Sequence, residues 1–471
     1  MTLDLLQFYE LLDPTKPLAV ENPEEKQYYI DFSPVRGSNI IKDLRDKITF
    51  FSRGKPTCQL FTGHIGCGKS TELLGLKAEL EQAGYHLVYF ESSQYLEMGD
   101  VDVTDILLAI ARRVSESLNR IEIAEPKGLK AILRGAAKLL QTELELSAQA
   151  SVPGIGKIEA NTEGEFSADV GIPGIGQVTA SDKEGVSLVA LGIGKITAKA
   201  KDSPDLRNKL REYLEPRTKG IIDAINQELL IPAQDSLKQQ GKKGLVVLVD
   251  NLDRVETVKK PWGRTQPEYL FVDRAEQLRQ LNCHVVYTIP LGLIFSNDYG
   301  RLTERFGVDP KVLPMVPVRS RDGGVCEQGM MLLRQMVLVR AFPEVETQQR
   351  LTLISKIFDQ PETLDRLCYV SGGHVRELLR LLNEWIEQER QIPLSREGLE
   401  NAIRSRRNQM KLAIDDREWN LLRQVQQRKQ VSGDEGYQLL IRSRFVYEYR
   451  DQQGSWFDIN PILLQAPEFQ G

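Results

Sequence analysis

The run Gly63-His64-Ile65-Gly66-Cys67-Gly68-Lys69-Ser70, followed by Thr71, matches G-x-x-x-x-G-K-[ST] throughout. Glycines at this spacing let backbone N–H groups converge on a phosphate, and the helix N-terminus that follows adds partial positive charge. Lys69 is then expected to reach the β- and γ-phosphates of a nucleotide, and Ser70 to ligate Mg²⁺. Such a loop needs a second, acidic element to hold the metal and place water. The stretch "LVVLVDNLDR" supplies one, with five apolar residues running up to Asp250. Asp250 is the expected magnesium-side acid, beside Ser70. Asp253 is expected as the general base or water-positioning carboxylate, with capping of the next helix as the plainer alternative.

These groups must be held by regular elements, and the flanking residues provide them. Cys58–Thr62 reads as a short buried strand, and Leu73, Leu76 and Leu80 share one side of a helix that ends near Gly84. His86–Ser93 reads as a second strand, "DVTDILLAIARRVSESL" as a helix, and "GLVVLVD", "HVVYTIP" and "KVLPMVPV" as further strands. Strands alternating with helices predict an α/β fold, a parallel sheet with helices on both faces. The core is expected over 31–120 and 203–320, after an N-terminal segment at 1–30. Residues 121–202 break the rhythm with an amphipathic helix and a repeat. "PGIGKIEA" starts at Pro153, "PGIGQVTA" at Pro173 and "LGIGKITA" at Leu191. Turn glycines with alternating residues between copies predict an inserted array of β-hairpins. Residues 321–410 read as a helical lid domain. Residues 411–471 read as two helices and a hairpin turning at Asp451–Gly454, the order of a winged helix-turn-helix.

This order of elements resembles the AAA+ class of P-loop ATPases, near the branch holding STAND signalling ATPases and origin-recognition-like proteins. The resemblance spans about Asp31 to Leu464, apart from the insertion. It implies ATP and Mg²⁺ as the bound species. It also implies roles for residues outside the two motifs. Thr288 in "HVVYTIP" occupies the place of the polar sensor-one residue. Arg305 in "RLTERFG" resembles an arginine finger acting in trans, and Arg376 in "SGGHVRELLRLL" the sensor-two arginine of the lid. Arg36 in "VRG" sits where the class has a lead-in that contacts the base. Guanidinium groups suit a transition state that spreads negative charge over phosphoryl oxygens. The sequence departs from the class at Asn251, where many ATPases carry a glutamate base. That departure fits a slow switch better than a motor.

Composition narrows the partners. The 471 residues carry a formal net charge of −5, which argues against coating nucleic acid through bulk charge. Locally, residues 401–450 hold 11 Lys and Arg against 6 Asp and Glu, so DNA contact through the winged helix stays open beside packing on the ATPase core. Tyr447, Tyr449 and Trp456 are expected to fill the wing's own core. The five cysteines are scattered and the four histidines lack zinc spacing, as expected in a reducing cytoplasm. The start "MTLDLLQFYE" lacks a signal-peptide pattern, and no apolar run is long enough to span a membrane. A trans-acting finger implies a homo-oligomer. With no recognisable effector domain, a separately encoded protein effector is expected. The alternatives are a DNA-associated initiator, loader or transposition ATPase, and a nucleotide-binding scaffold without turnover.

Overall fold

The computed structural model describes residues 3–118, 126–151, 188–201 and 203–469. Its centre is a parallel sheet of β1 (Cys58–Gly63), β2 (His86–Glu91), β3 (Leu245–Asp250), β4 (His284–Thr288) and β5 (Lys311–Leu313). The order across the sheet is β2-β3-β4-β1-β5. All six residues of β3 are buried, which is why its sequence is apolar without alternation. The register sets Glu91 opposite Asp250. Pairing of β5 stops at Leu313, short of the expected "KVLPMVPV", because Pro314 has no N–H to continue the ladder.

Both faces of the sheet are covered. Helices α1 (Ile40–Asp46) and α2 (Lys69–Gln82) pack Leu44, Leu73 and Leu76 against Val246 and Leu248. Helix α3 (Val103–Ser117) packs Ile106 and Ile110 into the opposite cluster, which holds Val247 and Val249. Odd and even residues of β3 therefore serve different layers. Helices α4 (Lys127–Ser151), α5 (Leu188–Lys201) and α6 (Pro204–Leu214) thicken the second layer, with Leu133, Ile193 and Leu210 in the same cluster.

Helix α5 corrects the expected hairpin array at its third copy. Its sequence contains the third repeat copy, from Leu191, in helical rather than extended form. Ala190, Ile193, Ile196 and Ala200 are buried. That spacing is one face of a helix, and its burial outweighs the cost of about 1 kcal/mol for each glycine at 192 and 194. The copies starting at Pro153 and Pro173 lie outside the described residues.

The chain then forms α7 (Tyr299–Phe306), between β4 and β5, and the helices α8 (Glu327–Ala341), α9 (Pro361–Val370), α10 (Val375–Glu389) and α11 (Arg396–Lys411). Around Trp385 these last four share one core with α12 (Asp416–Arg428) and α13 (Glu435–Arg442). The antiparallel pair β6 (Val446–Asp451) and β7 (Gly454–Ile459) follows. Tyr447, Tyr449 and Trp456 do not fill a separate core there. They join the sheet cluster with Phe61, Leu313 and Met315, because alternate residues of β6 face the sheet. The backbone N–H of Met315 donates to the Glu448 carbonyl at 3.0 Å, tying the hairpin to the chain leaving β5. Among the described residues, no helix is long and apolar enough to cross a membrane.

Candidate functional site

The glycine loop joins β1 to α2 at the C-terminal edge of the sheet, where open α/β sheets bind ligands. Lys69 is buried beneath it. Its Nζ donates to the carbonyls of Gly63 at 2.7 Å and His64 at 2.8 Å, and pairs with Asp253 Oδ2 at 2.9 Å. Burial works against the Lys69 ammonium, but Asp253 outweighs it and holds its pKa above the ordinary lysine value. Asp253 Oδ1 is buried without a hydrogen-bond partner among the described residues, an orphan acceptor on a residue that lines the cavity.

Asp250 accepts from Tyr89 Oη at 2.9 Å and from the Asn251 N–H at 2.7 Å. Burial, then the nearby Asp253, raises the Asp250 pKa; hydrogen bonding from Ser70, Asn251 and Tyr89 offsets part of this. Ser70 and Asp250 thus stand together as hard oxygen donors. Magnesium is held by one or two carboxylates plus substrate phosphates, so this pair fits it. Among the described residues, no group of three or more His, Cys, Asp or Glu could form an all-protein metal cage. Asn251 adopts a left-handed backbone, φ 64°, which asparagine tolerates better than most residues. Its Nδ2 donates to Glu91 Oε2 at 3.0 Å.

Helix α10 and the hairpin roof the loop. The backbone N–H of Arg376 donates to the Gly66 carbonyl at 3.1 Å, and its Nε to the Pro14 carbonyl at 2.9 Å. His374 caps α10: Nδ1 accepts from the Glu377 N–H at 3.0 Å. Its Nε2 therefore carries the proton and donates to the Ile65 carbonyl at 2.9 Å. Burial, with Arg444 adding to it, pushes the His374 pKa down to about 3, consistent with that neutral tautomer. A Cβ on Gly66 would lie 2.5 Å from His374 Cε1, so only glycine allows this approach. On the hairpin side, His64 Nε2 accepts from the Glu448 N–H at 2.9 Å, and the Tyr449 hydroxyl donates to the Gly372 carbonyl at 2.8 Å. The Tyr447 ring lies against both histidines, with centroids 5.7 and 5.5 Å away.

The cleft formed here measures about 130 Å³. Its walls include the loop, Asp253, Glu91, Arg254, Arg376 and the strap Pro14–Pro17. Burial, then the neighbouring Arg254, Arg444 and Arg380, holds the Arg376 guanidinium below its ordinary pKa. Crowded cations at a phosphate loop favour an anion.

No family model matches this sequence, and no curated protein does. Solved structures similar to it include Drosophila ORC bound to DNA, at 11% identity and a TM-score of 0.36, covering 99% of this chain and 90% of that one. Another is the Aeropyrum pernix ORC2 protein in ADPNP-ADP complexes, also at 11% identity and a TM-score of 0.36, covering 95% of this chain and 94% of that one. At that score neither likeness carries a functional inference.

Two expected site residues, Thr288 and Arg36, stand behind the cavity, and Arg305, expected to act in trans, lies outside it. Thr288 is fully buried, and its hydroxyl accepts from the Leu252 N–H at 3.0 Å while donating to the Val249 carbonyl at 3.3 Å. It pins the turn after Asp250 instead of facing the cavity. Arg36 braces the loop from behind, donating to the Cys67 carbonyl at 2.7 Å and pairing with Glu72 at 3.4 Å. Arg305 donates to the carbonyls of Val272 and Asp273 at 2.8 and 2.9 Å, away from this cavity. Conversely, sequence reasoning missed Glu91, His374 and the strap. An acid closing a buried strand was the available signal for Glu91. A histidine just before an apolar helical run was a faint one for His374.

Proposed function

We propose that this chain is a regulatory ATPase of AAA+ or STAND type, in which Mg-ATP at Lys69, Ser70 and Asp250 controls assembly or a protein effector. The observation that carries this reading is the shared roof. The same loop carbonyls that flank the phosphate position bond to α10, and His64 of that loop bonds to the C-terminal hairpin. A ligand that moves the loop must therefore alter both contacts. Arg376 is the cis cation for the developing phosphoryl charge, and Ser70 and Asp250 are the holders of Mg²⁺, which would neutralise phosphate charge. Lys69 is the cation that meets the phosphates, with Asp253 kept as its counter-ion.

The test is calorimetry of Lys69→Ala. Loss of ATP binding and of every nucleotide-dependent change in assembly is expected, and unchanged affinity would sink the assignment. A role for Arg305 in trans predicts that mixing Arg305→Ala with Lys69→Ala subunits restores activity at some ratio; no recovery at any ratio removes that role.

A DNA-handling ATPase is the second reading. Arg404, Arg428 and Arg442 are exposed, which favours it. Arg406, Lys411 and Lys429 are instead held by Glu377, Glu468 and Asp458, which weakens it. DNA that raises turnover, with salt-dependent binding, selects this reading.

A further inference from the structure

Two carboxylates, Glu91 and Asp253, line the cavity, Asp250 lies buried beside them, and the partners of the three differ. Asp250 is filled by hydrogen bonds from Tyr89 and Asn251 and lies with Ser70. Asp253 is the counter-ion of Lys69. Glu91 closes β2, lines the cavity, and has no ion pair among the described residues. Among the described residues its side chain's hydrogen-bond partner is an amide, Asn251 Nδ2, which also lies 3.3 Å from Ser93 Oγ. An amide donates a hydrogen bond but takes up no proton at neutral pH; a carboxylate does. The residue after Asp250 therefore cannot act as a base, yet it aims one from the neighbouring strand. The left-handed backbone of Asn251 turns its side chain to β2.

We propose that Glu91 is the catalytic base for nucleoside triphosphate hydrolysis and that Asn251 is its positioning residue. This rests on the ATPase reading above. Water attacks the γ-phosphorus, forming one O–P bond. The bond from that phosphorus to the bridging oxygen breaks, and its electron pair leaves with the nucleoside diphosphate. The water proton passes to the Glu91 carboxylate and then to solvent. Nothing is oxidised or reduced.

The experiment measures Mg-ATP affinity by calorimetry and phosphate release on the full chain. Glu91→Gln is expected to bind within about threefold of wild type while phosphate release falls by about 100-fold or more. Asn251→Ala keeps the carboxylate, so it should lose about tenfold in kcat with little change in KM. If Glu91→Gln fails to fold by circular dichroism, Glu91→Asp decides, with an expected tenfold or larger loss at unchanged Mg-ATP affinity. Turnover above half of wild type in the Glu91→Gln protein, or wild-type kcat in Asn251→Ala, overturns the proposal. So does a wild type that binds ATP but releases no phosphate above the Lys69→Ala background. A wild type that binds no ATP overturns instead the reading on which the proposal stands.

Discussion

Lys69 is buried and gripped by three oxygens, only one of them charged. Removing that charge leaves a buried ammonium without its counter-ion. Breaking a buried pair this way costs about 3–5 kcal/mol. Asp253→Asn should therefore lower the melting temperature, and Mg-ATP should recover more of that loss than it adds to wild type. Differential scanning fluorimetry with and without nucleotide checks both parts. Glu448 offers a second residue-scale prediction. Burial pushes its pKa up to about 7, with Ser455 donating to one carboxylate oxygen. A folded pKa above the unfolded one means stability that is full below about 4.5 and lost as pH rises through 7. The loss is on the order of 3 kcal/mol. Glu448→Gln should abolish it, so the variant's melting temperature should gain on wild type between pH 5 and pH 8. A constant difference would show that Glu448 titrates normally.

The turn Ser371–His374 and the hairpin are the elements that join lid to loop. A Cβ on Gly373 would lie 1.7 Å from the Val316 carbonyl oxygen, so Gly373→Ala must push the lid off the strand exit. It should cost stability and also weaken ATP binding, both measurable in one titration series. Tyr449→Phe removes a single buried hydrogen bond, worth about 1 kcal/mol, and leaves the Gly372 carbonyl without that donor. Faster hydrogen exchange across β6 in that variant is the expected readout. The elements themselves were largely legible. Strand, loop and helix around Lys69 are contiguous, so local pattern contains the answer. Helix α5 was misread because glycine repeats mimic turns and only its packing against α3 and α4 reveals the helical face. The direction of the hairpin aromatics was hidden for a related reason. Alternation says that Tyr447 and Tyr449 share a face, but not what covers it. Glu91 lay hidden because its importance comes from lateral register with Asp250, across a gap of 159 positions from β2 to β3.

At the scale of the whole molecule, the cavity is smaller than the roughly 300–1,000 Å³ of typical small-molecule pockets. On the ATPase reading, ATP binding is expected to part the strap and helix α10, an opening that can be tested. The Leu18 N–H donates to Thr71 Oγ1 at 3.2 Å, so the strap is fastened to α2 itself. Hydrogen exchange in residues 14–18 should change on adding ATP, and Lys69→Ala should abolish the change. Mass photometry with ADP, ATP and a non-hydrolysable analogue tests whether that opening leads to assembly. The roof has one more consequence, for synthesis. The loop near residue 65 is completed by His374 and Glu448, whose bonds to it span 309 and 384 positions. A ribosome must translate through Glu448 before the loop can take its final form. Closing such distant contacts is slow, and the unfinished sheet stays exposed meanwhile. On the ATPase reading, a product that stops before the β6–β7 hairpin is expected to lack the loop's roof and to bind ATP more weakly.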